Sequence, residues 1–126
     1  MQRRRDERGA AVVEFALVLP VLVLFIFGII EFGRAYSARI ELTAAVREGA
    51  RAVALGATAD QATTATMDGA PGLTRSRITV TPNSCTVTPA PANATVSASY
   101  PFEYTIPLFK TGTWTLKATG VMRCGG

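Results

Sequence analysis

The chain has 126 residues, a formal net charge of +4 and no histidine. That length allows one modest domain plus an anchor and excludes two independent hydrophobic cores. The basic residues form no stripe with interleaved aromatic residues, so the charge predicts no nucleic-acid partner.

The first nine residues are polar and basic, and they include the arginines Arg3, Arg4, Arg5 and Arg8. Residues 1–9 are therefore predicted to be a cytoplasmic leader, because arginine and lysine concentrate at the cytoplasmic end of a membrane span. Everything beyond about Glu31 is then expected to lie outside the cytoplasm.

Residues 10–30 read AAVVEFALVLPVLVLFIFGII and predict a transmembrane helix. As a helix, the run rises roughly 30 Å, the thickness of a hydrocarbon core. It is too long for a cleaved secretory signal, whose apolar region has about 7–15 residues. Pro20 predicts a kink or a locally melted turn over residues 16–20. Gly28 and Gly33 would let another helix approach closely, although membrane helices also tolerate glycine and proline without such a role.

Glu14 stands near the start of this apolar run. A charged side chain in the middle of a bilayer costs about 2.5–3.5 kcal/mol on insertion scales. One interpretation is a membrane anchor that tolerates a single acid leaning toward the interface. The other is an acid that is retained because a positive partner becomes available to it.

Residues 31–56 predict an amphipathic extension of the same helix, about 45 residues in all. The residues expected to share its apolar face are Phe32, Tyr36, Thr43, Val46, Ala50 and Val53. The residues expected on the opposite face are Arg34, Glu41 and Glu48. Arg39 falls on the apolar side, and the pattern does not explain it. Gly56 is a candidate C-cap.

Residues 57–126 are rich in threonine and proline and predict an exported β head. A short helix is expected first, capped by Asp60 and ended by Gly69 and Pro71. The runs RITVTP, SCTVTP, ATVSASYPFEYTIPL and TWTLKATGVMRC then alternate like strands and predict a small antiparallel meander of three or four strands. Pro101 and Pro107 should confine their segment to an edge or split it with a bulge. With the amphipathic helix on one sheet face, the fold class is α+β.

Cys85 and Cys124 both fall on the exported side. An even number of cysteines in an oxidising compartment favours one disulfide over two unpaired thiols. A zinc site is not expected, because there are only two sulfurs, no histidine and no CxxC motif. The sequence predicts no metal and no cofactor.

A local motif joins the leader to the apolar run. It consists of Gly9 and Ala10 at the junction, followed four residues later by Glu14 and Phe15. Glycine gives an unhindered peptide bond at the cytoplasmic membrane face. Cleavage after Gly9 would create an α-amine on Ala10, which is largely cationic near neutral pH. That amine would give Glu14 a partner, one turn away in the same helix or on a staggered neighbouring helix.

This motif resembles the class III prepilin signal of type IV-related pilins, which an aspartyl prepilin peptidase cuts after the glycine. More widely, residues 8–55 resemble the N-terminal domain of TadE-like proteins, the minor pseudopilins of tight-adherence (Tad/Flp) pilus systems. The segments GIIEFGR (28–34) and REGAR (47–51) carry most of that resemblance.

The resemblance implies a minor pilin-like structural subunit in the bacterial cytoplasmic membrane, crossing it once, or in a surface pilus. The partners it implies are other pilins and pseudopilins, the inner-membrane assembly platform, the prepilin peptidase and membrane lipid. Within REGAR, the residues Arg47, Glu48 and Arg51 are candidates for docking another subunit, and a solvated helix face would account for their charges equally well.

Two other functions are weighed against this one. The chain could be an uncleaved membrane anchor that displays an extracellular binding module. An enzyme is not expected, because the exported part has no histidine and, as distal acids, only Asp60, Asp68 and Glu103. These residue types do not assemble a set of nucleophile, base and orienting group.

Overall fold

The computed structural model describes residues 3–89 and 91–125, and one long helix dominates it. Helix α1 spans Arg3–Ala54 and has 52 residues. The expectation that the helix opens at Ala10 is wrong, since residues 3–9 are helical too. Arginine and glutamate favour helix, and Asp6 lies in the first turn, where the helix dipole stabilises an acid. Residues 1 and 2 of the predicted leader lie outside the described residues.

Helix α1 passes through Pro20 without interruption, so the locally melted turn expected there is wrong. An interior proline removes a single intrahelical hydrogen bond, and the turns on either side remain paired. The predicted end of the helix is confirmed. Gly56 adopts a φ of 92°, and its N–H donates to Val53 O at 2.9 Å while Ala57 N–H donates to Ala52 O at 3.0 Å. This pair of bonds is a Schellman motif, which needs the left-handed conformation that glycine adopts freely.

A second helix, α2, spans Ala59–Asp68 and ends at Gly69, as predicted. Its N-cap is Thr58 rather than the expected Asp60. The Thr58 hydroxyl accepts from Gln61 N–H at 3.3 Å, and the Gln61 side-chain oxygen accepts from Thr58 N–H at 3.0 Å. This reciprocal capping box outweighs Asp60, which lies instead in the first turn.

Three strands follow a short 3-10 turn at Arg75–Arg77: β1 (Thr79–Pro82), β2 (Asn93–Ile106) and β3 (Lys110–Arg123). They form an antiparallel sheet in the order β1-β2-β3, which confirms the meander and the α+β class. The run SCTVTP is not a strand. Residues 85–89 form bends, and Cys85 there is joined to Cys124 beyond the end of β3.

Strand β2 passes through Pro101 without a bulge, since its pairing with β3 is continuous from Asn93 to Ile106. The pairing with β1 stops at Ser99, so at Pro101 one side of β2 is an edge. Proline is tolerated there because a free edge requires no N–H donor. Pro107 lies just beyond the strand, in the turn to β3.

The second half of α1 packs against α2 on one side and against the sheet on another. Leu42, Val46 and Val53 of the helix are fully buried, as is Val96 of β2. Strand β2 alternates accordingly, and its helix-facing residues are Ala94, Val96, Ala98, Tyr100 and Phe102.

The predicted apolar face of α1 is correct only toward its end. Val46, Ala50 and Val53 are buried, but Phe32 and Tyr36 are 71% and 60% exposed. The buried side instead follows Ala35, Ala38, Leu42, Ala45 and Gly49, all of which are small except Leu42. Arg39 is exposed, so the charge that seemed to break the pattern lies on the outer face.

Candidate functional site

The segment predicted for processing is an exposed stretch of α1. Gly9, Ala10, Glu14 and Phe15 are all exposed, and a Cβ added at Gly9 would meet nothing within 4 Å. Four residues separate Ala10 from Glu14, so the two lie about one helical turn apart. The bond from Gly9 to Ala10 is accessible but helical, and a peptidase that binds extended substrates would have to unwind it locally.

Glu14 forms no ion pair or side-chain hydrogen bond with any residue in 3–89 and 91–125. Phe15 beside it is exposed as well, and the head covers neither. The described residues therefore supply no partner for this carboxylate, which agrees with either interpretation of it.

The apolar half of α1, residues 10–30, is exposed throughout, as are residues 4–9 before it. Among the described residues, α1 is the one helix long and apolar enough to cross a membrane. Neither Gly28 nor Gly33 has an atom near its would-be Cβ. Gly28 forms the floor of a shallow depression of about 340 Å³, which is lined by Leu24, Phe25, Gly28, Ile29 and Phe32. The structure thus leaves open the close approach predicted at both glycines.

An exposed apolar stripe continues along α1 beyond residue 30. We call Phe25, Ile29, Phe32, Tyr36 and Ile40 the outer stripe. The rings of Phe32 and Tyr36 lie nearly parallel, at 11°, with centroids 6.5 Å apart. A stripe at spacings of three and four residues is suited to packing against another helix.

Glu31 lies toward the sheet, and its side chain is only 16% exposed. Its Oε1 accepts from Arg34 Nη1 at 2.8 Å, and the Arg34 guanidinium lies 5.6 Å from the centroid of the Phe102 ring. Glu31 Oε2 is buried and has no hydrogen-bond partner among the described residues. A groove of about 550 Å³ opens beside it, between α1 and the aromatic side chains of Phe102, Tyr104 and Trp114.

The REGAR segment has two distinct sides. Arg47, Glu48 and Arg51 are exposed and take part in no ion pair within the described part of the chain. Gly49 and Ala50 are buried. A Cβ at Gly49 would lie 2.0 Å from Thr66 Oγ1 and 3.2 Å from Val96 Cγ1. The glycine is therefore what allows α2 and β2 to approach the helix, and the flanking charges are solvated.

Cys85 and Cys124 are joined in the structure, with Cα atoms 5.6 Å apart. The bridge ties the loop after β1 to the end of β3. Within residues 3–89 and 91–125, the structure contains no cluster of three or more His, Cys, Asp or Glu residues able to hold a metal ion.

Sequence reasoning missed four features of this surface: Glu31, the packing role of Gly49, the aromatic wall that includes Trp114, and the exposed turn at Leu108 and Phe109. The available signal for Glu31 and Gly49 was the repeat at positions 35, 38, 42, 45 and 49, where every residue except Leu42 is small. It was obscured by the larger side chains of Phe32 and Tyr36. The other two depend on where the β2–β3 hairpin lies, which no local pattern encodes.

A family model described as TadE-like protein matches residues 9–51, the segment that contains the exposed Gly9, the apolar half of α1 and the whole of REGAR. No curated protein and no solved structure matches the chain. The matched segment is consistent with a protein associated with the Tad pilus system.

Proposed function

Residues 9–51 form a TadE-like segment, and from that premise we propose that the protein is a minor pilin-like structural subunit for assembly of a Tad/Flp-type pilus. In this proposal residues 10–30 anchor it in the cytoplasmic membrane, the leader is cytoplasmic, and the head lies outside. Its role is structural rather than catalytic.

One observation carries the proposal: a single rigid helix is packed along one half and bare along the other. Residues 10–30 expose an apolar surface interrupted by Glu14, which in water would be a severe aggregation liability. Lipid can cover such a surface, and so can the helices of neighbouring subunits. A rod that exchanges one covering for the other suits a subunit that is stored in the membrane and then assembled.

Processing between Gly9 and Ala10 is part of the proposal. The bond is exposed, and Glu14 lacks a partner among the described residues. A new amine on Ala10 would offset the unfavourable burial of the acid, either within the helix or between staggered helices. The partners we propose are the prepilin peptidase, other pilins and the inner-membrane platform.

The experiment compares Glu14→Ala with Glu7→Ala in the native host. Glu7 is also an exposed acid on α1, but it lies outside the apolar segment. We expect wild type and Glu7→Ala to begin at Ala10 by intact mass, and Glu14→Ala to lose processing, partner association or both. If Glu14→Ala is trimmed, associates and supports surface pili as wild type does, the proposed role of this acid is wrong.

Assembly is tested with a photo-crosslinking amino acid at Tyr36 on the outer stripe, with Lys117 on the exposed strand face as the matched control site. Crosslinks to pilins from position 36 but not from position 117 would support the proposal. An uncleaved anchor displaying a binding module predicts a different result. Its chain would start at Met1, it would give no pilin crosslinks, and its ligand would be sought in the groove beside Glu31.

A further inference from the structure

The turn between β2 and β3 reaches down alongside the apolar half of α1. The hairpin tip, which we define as Pro107, Leu108 and Phe109, shares an apolar cleft of about 260 Å³ with helix residues. The helix residues that line the cleft are Pro20, Val21, Val23, Leu24 and Phe27. These positions lie within the predicted span rather than above it.

We propose that the hairpin tip inserts into the outer leaflet of the membrane beside α1, so that the head is seated in lipid. The inference rests on the proposed anchoring of residues 10–30 and goes beyond it. The helix residues of the cleft lie between about 4.5 Å (Phe27) and about 15 Å (Pro20) below Ile30 along a helix that rises 1.5 Å per residue. A tip that packs beside them must lie at the same depth.

The tip has the composition that such a position requires. Leu108 is 98% exposed and Phe109 is 73% exposed, and no polar side chain lies among the three residues. In water this would be an unfavourable display of apolar surface, whereas in lipid it contributes favourable transfer free energy.

The backbone of the tip is also partly adapted to lipid, where an unpaired N–H or C=O costs several kcal/mol. Pro107 has no N–H to satisfy. Phe109 N–H donates to Ile106 O at 3.2 Å, and Ile106 pairs with Lys110 across the hairpin. The turn thus closes some of its own donors and acceptors instead of leaving them to solvent.

The residues that follow the tip change from apolar to interfacial. Lys110 comes directly after Phe109 and is exposed, with a stem long enough to bring its ammonium group toward the headgroups. Farther along the hairpin are Tyr104 and the 60%-exposed Trp114, which reach the groove beside Glu31. Tyrosine and tryptophan concentrate at the membrane–water interface, so this order favours lipid over a second protein as the covering of the tip.

The experiment uses the single tryptophan of the sequence. In a Trp114→Phe background, one tryptophan is placed at the tip (Phe109→Trp), on the exposed helix (Phe25→Trp) or at the far end of the hairpin (Val121→Trp). The full-length proteins are reconstituted in phosphatidylcholine vesicles that contain lipids brominated on the acyl chain. Circular dichroism checks that each variant keeps the fold, and Leu108→Trp replaces Phe109→Trp if that variant does not.

We expect brominated lipid to quench the Phe109→Trp and Phe25→Trp reporters to a similar extent and to leave Val121→Trp nearly unquenched. Aqueous iodide should give the reverse order. If the helix reporter is quenched while the tip reporter responds only to iodide, the insertion is refuted and the membrane anchor stands. A tip reporter shielded from both quenchers would mean that protein covers it, which also refutes insertion. If the helix reporter is not quenched by lipid either, the anchor itself is wrong.

Discussion

The two halves of α1 have the same secondary structure and opposite surroundings. Residues 10–30 carry mostly large apolar side chains all around the helix and are exposed, whereas residues 31–54 carry small residues on one side, and that side is covered. Bulky side chains all around a helix suit a fluid covering such as lipid, which requires no fixed complementarity. A strip of alanine and glycine suits a fixed covering, because it lets α2 and the sheet approach the helix backbone.

This contrast assigns separate tasks to the halves. The covered half is a structural unit whose stability depends on close packing, so adding or removing a single methyl group there should change its free energy of unfolding. The bare half contributes no buried residue to that packing, so changes in it should affect association more than folding. Experiments that alter one half at a time would separate these tasks.

The largest expected effect comes from removing the bridge that closes the head. Replacing both Cys85 and Cys124 with serine should lower the free energy of unfolding of the covered half by about 4 kcal/mol, the entropy of closing a loop of about 40 residues. Urea unfolding in detergent, followed by Trp114 fluorescence, measures it. Reductant added to the wild type should reproduce the loss, and the helix signal of the bare half should persist. If the whole helix melts together with the head, the two halves are not separate units.

A smaller effect, of opposite sign on the two sides of the covered half, is expected from one substitution at two glycines of α1. Gly49→Ala should destabilise by about 1–3 kcal/mol through overpacking, because its Cβ would lie 2.0 Å from Thr66 Oγ1. Gly33→Ala meets nothing within 4 Å and should stabilise the helix by up to about 1 kcal/mol through propensity. The same urea titration measures both variants.

A second substitution provides the control for this pair. Adding Thr66→Ala to Gly49→Ala removes the hydroxyl that the new methyl group would strike, so the two changes should be non-additive and part of the loss should be recovered. Equal signs at Gly49 and Gly33 would contradict the assignment of tight packing to one side of the covered half only.

The sequence predicted those parts of the fold that local chemistry controls. The long helix, its end at Gly56, the short α2 and a β meander with its helix on one face all follow from periodicity and turn residues. The wrong assignment of the buried face of α1 has a physical cause. The face of α1 was assigned by the size of Phe32 and Tyr36, but the neighbouring elements pack against the small residues beside them.

The sequence allowed individual residues of the candidate site to be selected, but it did not show which residues lie next to one another on the surface. Gly9 and Glu14 could be selected from their order in the chain, and the fold then places both in the open. Glu31 and the hairpin tip could not be selected, since their significance depends on the packing of β2 and β3 along α1. Contacts between residues so far apart in sequence leave no local pattern.

The smallest expected effect concerns the cap of α2, which covers part of the packed half. Thr58→Ala should destabilise the head by about 1 kcal/mol, because it leaves Gln61 N–H without its acceptor. Thr58→Ser keeps the hydroxyl and should restore most of the loss. Asp60→Ala is the discriminating control. Asp60 lies in the first turn and is not the cap, so its loss should destabilise α2 by only about 0.3–1 kcal/mol, through the helix dipole. This destabilisation should become smaller as salt is added. Should Asp60→Ala prove the more damaging change, the reciprocal bonds between Thr58 and Gln61 do not hold the start of α2.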